Sequence, residues 1–257
     1  MVVPSNKMSR KGKLYFEPEM PAVDILLPAY NPLPGWEETV IDRFRSLQQA
    51  LPEFSFQLVL VNDGSTVSNW SSGLSKVVEN VPGTIVISYE QNQGKGHALR
   101  EGVKLSTGDY ILYTDIDWPY TEDSMISLIH RLQFGADVAV GVRNKSYDEQ
   151  LPPMRKKISN WLKRINSKLL HLKVDDTQAG LKGFNKKVKE IFLSTRIKRY
   201  LFDLEFIYLL SKKKISVISV PVELRSGIKF SKMNRKVLLT EGWNFIRIWM
   251  KGVRDKG

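Results

Sequence analysis

Short apolar runs alternate with amphipathic stretches through the first half of the chain, and this pattern predicts its architecture. Runs of four to six residues rich in Val, Ile, Leu and aromatic side chains, bounded by Gly, Pro, Asn or Asp, are typical of buried strands. The pattern predicts five strands, at Val23–Leu27, Phe56–Val61, Thr84–Tyr89, Tyr110–Tyr113 and Ala136–Val140.

Two stretches between these runs have helical spacing of their apolar residues, Val40–Leu51 and His97–Leu105. Strands that alternate with helices favour a mainly parallel sheet covered by helices on both faces, so the predicted fold class is α/β. In such sheets ligands bind beyond the carboxyl ends of the strands. A further strand-like run, Ile215–Val220, lies near the end of the chain.

Polar, turn-forming residues follow the first four predicted strands, where a ligand site is expected. They are Pro28–Pro32, Asn62–Ser65, Glu90–Gly96 and the pair Asp115 and Asp117. Hard divalent cations prefer oxygen ligands, so the paired aspartates are candidate ligands for a cation that holds a diphosphate. Each loop taken alone is equally compatible with a simple turn. The Gly94 loop lacks the Gly-Lys-Ser/Thr ending of a P-loop.

Composition restricts the class of protein further. The chain has 257 residues, of which 42% are hydrophobic and 26% charged, as in a globular protein with one large domain or two small ones. It contains no cysteine, which excludes disulfides and thiolate metal sites and fits a reducing compartment. The first twenty residues lack the apolar core of a signal peptide, and no apolar stretch approaches the roughly 20 residues of a membrane span. We therefore expect a cytoplasmic protein.

The net charge of +12 indicates a polyanionic partner, which is nucleic acid, an anionic membrane surface or a phosphorylated substrate. No nucleic-acid-binding motif accompanies the charge, so nucleic acid ranks last among these partners.

Three motifs in the second half extend the pattern: Gly141–Arg143, Asp175–Phe184 and Phe202–Glu205. With the earlier loops, they resemble family 2 glycosyltransferases of the GT-A fold, especially polyprenyl-phosphate enzymes such as dolichyl-phosphate glucosyltransferases and their mannosyl relatives. The resemblance predicts an N-terminal extension (1–21), a catalytic domain (22–226) and a C-terminal basic loop with an amphipathic helix (227–257). Within the catalytic domain, residues 22–117 would form the nucleotide-sugar half and residues 118–226 the acceptor half.

The resemblance also implies a donor site. Asp117, with Asp115, would hold Mg²⁺ or Mn²⁺ on the diphosphate, and Asp117, Arg143 and Asp176 are the expected catalytic residues. The expected nucleotide-sugar contacts are Pro28, Ala29, Tyr30, Asn31, Asp63, Asn92, Lys95 and Asp115. Two departures from the family pattern leave donor identity open. Asn62 stands where an acid is usual, and Trp118-Pro119 follows the paired aspartates.

Five residues are expected to contact the acceptor or phosphate groups, namely Gln178, Lys182, Arg225, Lys229 and Lys232. Asp176 has three open roles. It would remove a proton from a hydroxyl acceptor, or only support a turn, as Asp175 would. With a phosphate acceptor, which is already ionised and needs no base, it would instead orient the acceptor, the donor sugar or a cation.

Membrane contact depends on two basic stretches with apolar residues at helical spacing, Leu151–Val174 and Lys236–Val253. The first carries seven Lys or Arg and no Asp or Glu. Such helices lie in an anionic lipid interface or pack their apolar face against the protein, and the sequence favours neither.

The expected function is metal-dependent, inverting transfer of a hexose from a nucleotide diphosphate sugar, with UDP favoured, to a polyprenyl phosphate. The protein would then be cytoplasmic, with a peripheral contact to a membrane. Two alternatives stay open, namely transfer to a hydroxyl of a glycan or small molecule and a nucleotide-binding scaffold without activity. The sequence does not determine the oligomeric state.

Overall fold

The computed structural model describes residues 20–143 and 179–226. Seven strands in these residues form one sheet, in the order β3-β2-β1-β4-β6-β5-β7. The strands are Ala22–Ala29 (β1), Ser55–Asp63 (β2), Ile85–Tyr89 (β3), Tyr110–Tyr113 (β4), Val138–Arg143 (β5), Lys182–Asn185 (β6) and Val217–Val222 (β7). All five strands predicted for the first half are therefore confirmed, with boundaries shifted by no more than three residues.

Strand β1 is an interior strand, which pairs in parallel with β2 on one side and with β4 on the other. Ile25, Leu26 and Leu27 of β1 are completely buried because both faces of this central strand are covered. This explains why apolar residues occupy both faces of β1, in which Asp24 is the one polar residue and accepts hydrogen bonds from the N–H groups of Thr107 and Gly108.

Helices cover both faces of the sheet, as predicted. The described helices are Trp36–Ala50 (α1), Trp70–Asn80 (α2), Lys95–Leu105 (α3), Glu122–Gln133 (α4), Lys189–Leu193 (α5) and Phe202–Lys212 (α6), with a 3-10 turn at Lys186–Val188. Apolar residues of α1, α2 and α4 pack in one core cluster. Those of α3, α5 and α6 pack in a second cluster on the opposite face.

Strand β6 was not predicted, because it is short and contains Lys182, Gly183 and Asn185 in place of an apolar run. It pairs antiparallel with β4 and with β5. Gly183 is required there, since a Cβ atom would lie 2.9 Å from the side chains of both Leu112 and Leu132. The prediction of a mainly parallel sheet is nevertheless confirmed, because β6 alone runs against the other strands.

This topology brings the loops that follow the parallel strands to one edge of the sheet. The carboxyl ends of β1 to β5 and β7 meet there, together with the start of β6. Strands from both sides of residue 117 share the sheet, and the division into a nucleotide-sugar half and an acceptor half stays a prediction. Among the helices of residues 20–143 and 179–226, none has the length and apolar character needed to cross a membrane.

Candidate active site

Lys95 and Asp115 meet at the carboxyl edge of the sheet. Lys95 is the first residue of α3, and Asp115 follows β4 by two residues. Lys95 Nζ donates a hydrogen bond to Asp115 Oδ1 at 2.5 Å. The side chains are 17% and 44% exposed, so the carboxylate is the more accessible partner. Burial lowers the pKa of Lys95, but the negative charges of Asp115 and Asp203 outweigh it, and the pKa is raised. Lys95 is therefore a cation at neutral pH.

Asp117 lies on a turn in which the N–H of Trp118 donates to the Asp115 carbonyl at 2.9 Å. Asp117 is exposed to solvent, yet the surrounding protein displaces part of the water that would hydrate its carboxylate. This desolvation, followed by the negative charge of Asp115, raises the pKa of Asp117. Two neighbouring carboxylates with this electrostatic conflict suit a divalent cation, which relieves the repulsion.

The donor set also limits which metal site is compatible. No group of three or more His, Asp or Glu side chains that could hold a metal occurs in the part of the chain that the structure describes. A cation on Asp115 and Asp117 would thus complete its shell with phosphate and water oxygens, as Mg²⁺ commonly does. The residues present fit Mg²⁺ or Mn²⁺ bound together with a diphosphate.

Asp63 is at the predicted location, but its carboxylate is engaged within the protein. The side chain is buried and accepts hydrogen bonds from the N–H of Gln93 at 2.7 Å and of Gly94 at 2.9 Å. The side-chain amide of Asn92 donates to it at 2.8 Å. Asp63 therefore holds the loop that delivers Lys95. No pattern in the sequence indicates this positioning role for Asp63.

The loop after β1 is tied to the loop after β2. The N–H of Asn31 donates to Ser65 Oγ at 3.0 Å, and the side-chain oxygen of Asn31 accepts from the N–H of Thr66 at 2.8 Å. Tyr30 beside them is 53% exposed and free to face a ligand, whereas Pro28 is half-buried and Ala29 is buried. Of the four residues predicted in this loop, Tyr30 is the most accessible.

Asn62, the departure from the family pattern, has its own structural role. Its Nδ2 donates to Ser88 Oγ at 2.9 Å, and its Oδ1 accepts from the N–H of Ser65 at 2.9 Å. The amide thus links β2 to β3 and closes the turn after β2, using both its donor and its acceptor.

Lys182 lies beneath the site. Its side chain is fully buried, and Nζ is 2.5 Å from the Ala179 carbonyl and 3.1 Å from Asp203 Oδ1. The hydroxyl of Tyr113 donates to the same Asp203 oxygen at 2.6 Å. The ammonium therefore does not face solvent, which differs from the expected phosphate contact. The Phe202–Glu205 motif is visible in the sequence, but its pattern does not indicate this buried role for Asp203.

Gly180 was also missed. It lies against the Lys95–Asp115 pair, since a Cβ atom on it would be 2.7 Å from Asp115 Oδ2 and 3.7 Å from Lys95 Nζ. Its N–H donates to the hydroxyl of Tyr120 at 2.8 Å. Its place in the Gln178-Ala179-Gly180 motif was the available signal.

The remaining predicted residues divide into two groups. Arg143 ends β5 at the same edge and is half-buried, while Arg225 follows β7 and donates to backbone carbonyls after Asp115. The other group lies outside the described residues, as do the amphipathic stretches 151–174 and 236–253. It comprises Asp176, Gln178, Lys229 and Lys232.

Comparison with known proteins places this geometry in context. The model of the family described as Glycosyl transferase family 2 matches residues 24–192. The dolichyl-phosphate beta-glucosyltransferase of Dictyostelium discoideum is 28% identical over 215 residues, which cover 78% of this chain and 65% of that enzyme. A prophage bactoprenol glucosyl transferase homolog of Escherichia coli is 24% identical, over 65% of this chain and 53% of its own length. The chain thus spans between about half and two thirds of these two relatives.

A solved structure has the same fold. The mannosyltransferase PcManGT from Pyrobaculum calidifontis, in complex with GDP-Man and Mn²⁺, superposes with a TM-score of 0.54 and 16% sequence identity. The match covers 79% of this chain and 56% of that one. The architecture of this chain is therefore the GT-A-like α/β architecture of that mannosyltransferase.

Proposed function

Because the chain belongs to glycosyl transferase family 2, we propose that it transfers a hexose from a nucleotide diphosphate sugar to a polyprenyl phosphate. The single observation that carries this proposal is the Lys95–Asp115 ion pair beside Asp117, at the edge where the loops of the sheet converge. It combines a cation for a diphosphate with two carboxylates for a divalent metal.

The donor side of the proposal rests on charge. Lys95 offers a positive charge at neutral pH in the first turn of a helix, where backbone N–H groups also attract anions. Asp115 is accessible beside it for a ribose hydroxyl or the metal. A UDP-sugar is favoured because the matched relatives from Dictyostelium and Escherichia coli are named glucosyltransferases.

The acceptor side follows from the same relatives, one named for dolichyl phosphate and one for bactoprenol. A phosphate acceptor is ionised at neutral pH and requires no general base. An oxygen of that phosphate would form a bond to the anomeric carbon, while the bond from this carbon to the diphosphate breaks. The electron pair leaves with the nucleoside diphosphate, and the anomeric configuration inverts.

Asp117 and Asp115 would hold Mg²⁺ or Mn²⁺ in this reaction. The bound cation would neutralise the charge that develops on the departing diphosphate. Lys95, at the start of α3, would add its positive charge. Asp63 would keep the loop before Lys95 in place. The net charge of +12 favours sugar transfer at the surface of an anionic membrane. The protein would bind peripherally to the cytoplasmic side of that membrane.

The test is transfer of labelled sugar into organic-extractable product. Purified protein would receive UDP-glucose or GDP-mannose, Mn²⁺ and a polyprenyl phosphate. Label from UDP-glucose in the lipid phase, lost on addition of EDTA, is the expected result. Asp117→Asn should abolish transfer, whereas Asp42→Asn, a change of an exposed aspartate on α1, should leave it intact.

If no label enters the organic phase although the protein still binds a sugar nucleotide, the proposal of a lipid-phosphate acceptor is wrong. Hydroxyl acceptors would then be tested. In that case Asp176 becomes the next residue to change, because a hydroxyl requires a base. Binding without transfer to any acceptor would instead support the scaffold alternative.

A further inference from the structure

Arg225 is bonded to the turn that carries Asp117. Its Nε donates to the Trp118 carbonyl at 2.7 Å, and its Nη2 donates to the Asp117 carbonyl at 2.9 Å. Its backbone N–H donates to the Pro119 carbonyl at 2.9 Å. One residue thus engages three consecutive carbonyls, beginning with that of the candidate metal ligand Asp117.

The turn itself has an unfavourable backbone conformation that needs such support. Trp118 has φ of +46°, in the left-handed region that bulky side chains rarely adopt. Its indole is only 1% exposed, so the ring is anchored in the core while its carbonyl faces the guanidinium. Without a donor at that point, the Asp117–Trp118 carbonyls would have to find other partners.

The segment after β7 is attached to the same region by its backbone. Tyr120 forms an antiparallel bridge with Leu224, and the N–H of Thr121 donates to the Glu223 carbonyl at 3.0 Å. These contacts hold residues 119–121. The guanidinium of Arg225 extends this attachment to the carbonyl of Asp117.

We propose that Arg225 is a positioning residue, which sets the orientation of Asp117 by bonding to the backbone of its turn and does not grip the phosphates of the nucleotide. The proposal rests on the proposed function, because it assigns Asp117 as a metal ligand. The Nε and Nη2 groups of the guanidinium both donate to carbonyls of the turn, so the edge of the guanidinium that carries them is directed at the protein. The end of β7 is thereby coupled to the metal site.

The first experiment needs no ligand. Amide hydrogen exchange would be measured in the wild type, Arg225→Ala, Arg225→Lys and the control Arg45→Ala, whose guanidinium bonds to Asn80 far from the turn. Arg225→Ala should exchange the Trp118 amide at least about tenfold faster, while amides of β1 and β2 keep their protection. Arg225→Lys retains the charge but not the planar guanidinium. Its Trp118 amide should exchange at a rate between those of the wild type and Arg225→Ala. Unchanged exchange at Trp118 in both Arg225 variants would overturn the proposal.

The second experiment separates positioning from phosphate contact. The affinity for UDP, and for GDP alongside, would be measured with and without Mn²⁺ in Arg225→Ala, Asp117→Asn and the double variant. Positioning predicts about tenfold weaker binding with Mn²⁺ in Arg225→Ala, and no further loss when Asp117 is already changed. An equal loss in the Asp117→Asn background, or without Mn²⁺, would assign Arg225 to the phosphates. If neither nucleotide binds the wild type, the proposed function fails, and the exchange experiment still decides the role of Arg225.

Discussion

Lys95 Nζ lies 2.5 Å from Asp115 Oδ1, which joins the first turn of α3 to the loop after β4. The two groups neutralise each other in the absence of a ligand, so the partly buried ammonium of Lys95 is not left as an isolated charge. A nucleotide diphosphate with its cation matches both, since the phosphates match Lys95 and the cation matches Asp115. This pair therefore connects the loop that delivers Lys95 to the loop that carries the candidate metal ligands Asp115 and Asp117.

Replacing Lys95 by Met should weaken binding of UDP with Mn²⁺ by about tenfold or more, because a charge-assisted contact to phosphate is lost. Isothermal titration would measure the affinity. Lys104→Met is the matched control, because Lys104 is on the same helix but pairs with Glu101 at the surface. Equal affinities in the wild type and Lys95→Met would contradict a phosphate role for Lys95.

The raised pKa of Asp117 predicts the pH dependence of transfer. As the pH falls, Asp117 should become protonated at a higher pH than an aspartate of ordinary pKa, so activity should begin to fall before such aspartates are protonated. A divalent cation competes with the proton for the carboxylate, so more Mn²⁺ should move this acidic limb to lower pH. The transfer rate measured as a function of pH at two Mn²⁺ concentrations tests this. If the fall in rate at acidic pH does not shift with Mn²⁺, protonation of Asp117 is not its cause.

The same pKa gives a stability prediction. A carboxyl whose pKa is higher in the folded than in the unfolded state destabilises the fold when ionised, and stability rises as the pH falls through the folded pKa. Asp117→Asn removes the charge and should be at least as stable as the wild type at pH 7 in the absence of metal. Urea denaturation would measure this, and a clear loss of stability would show that the carboxylate is structurally required.

Gly180→Ala should impair the site and spare the fold. The new Cβ would lie 2.7 Å from Asp115 Oδ2, the movable end of a side chain, so the carboxylate should shift away from Lys95. Nucleotide binding with Mn²⁺ should weaken by about tenfold, on the scale of one charge-assisted hydrogen bond. Thermal unfolding should change little. A fall in Tm with intact binding by the folded fraction would contradict this assignment.

Asp63→Asn tests the support of the Lys95 loop. An asparagine replaces one acceptor oxygen by a donor, which faces the N–H groups of Gln93 or Gly94. The buried mismatch should cost about 1–3 kcal/mol of unfolding free energy and raise the KM for the nucleotide sugar. Asp42→Asn is the control on the surface. Unchanged stability and KM would show that the loop does not depend on this carboxylate.

The sequence by itself determined the sheet to a large extent. The runs that became β1, β2 and β4 are apolar on both faces, and burial on both sides of a central parallel strand leaves few other choices. The positions of Asp63, Lys95 and Asp117 after their strands followed from the same rule, since parallel strands present their carboxyl ends at one edge. These features depend on local pattern and on a general property of the fold.

Only the tertiary structure decided how these side chains are used. Asp63 bonds to a loop some thirty residues away, and Lys182 turns inward to Asp203, because the antiparallel β6 enters the sheet between β4 and β5. Arg225 reaches the Asp117 turn for a similar reason, since β7 ends beside it. Burial and hydrogen-bond partners arise from contacts between distant segments, and no local pattern in the sequence encodes them.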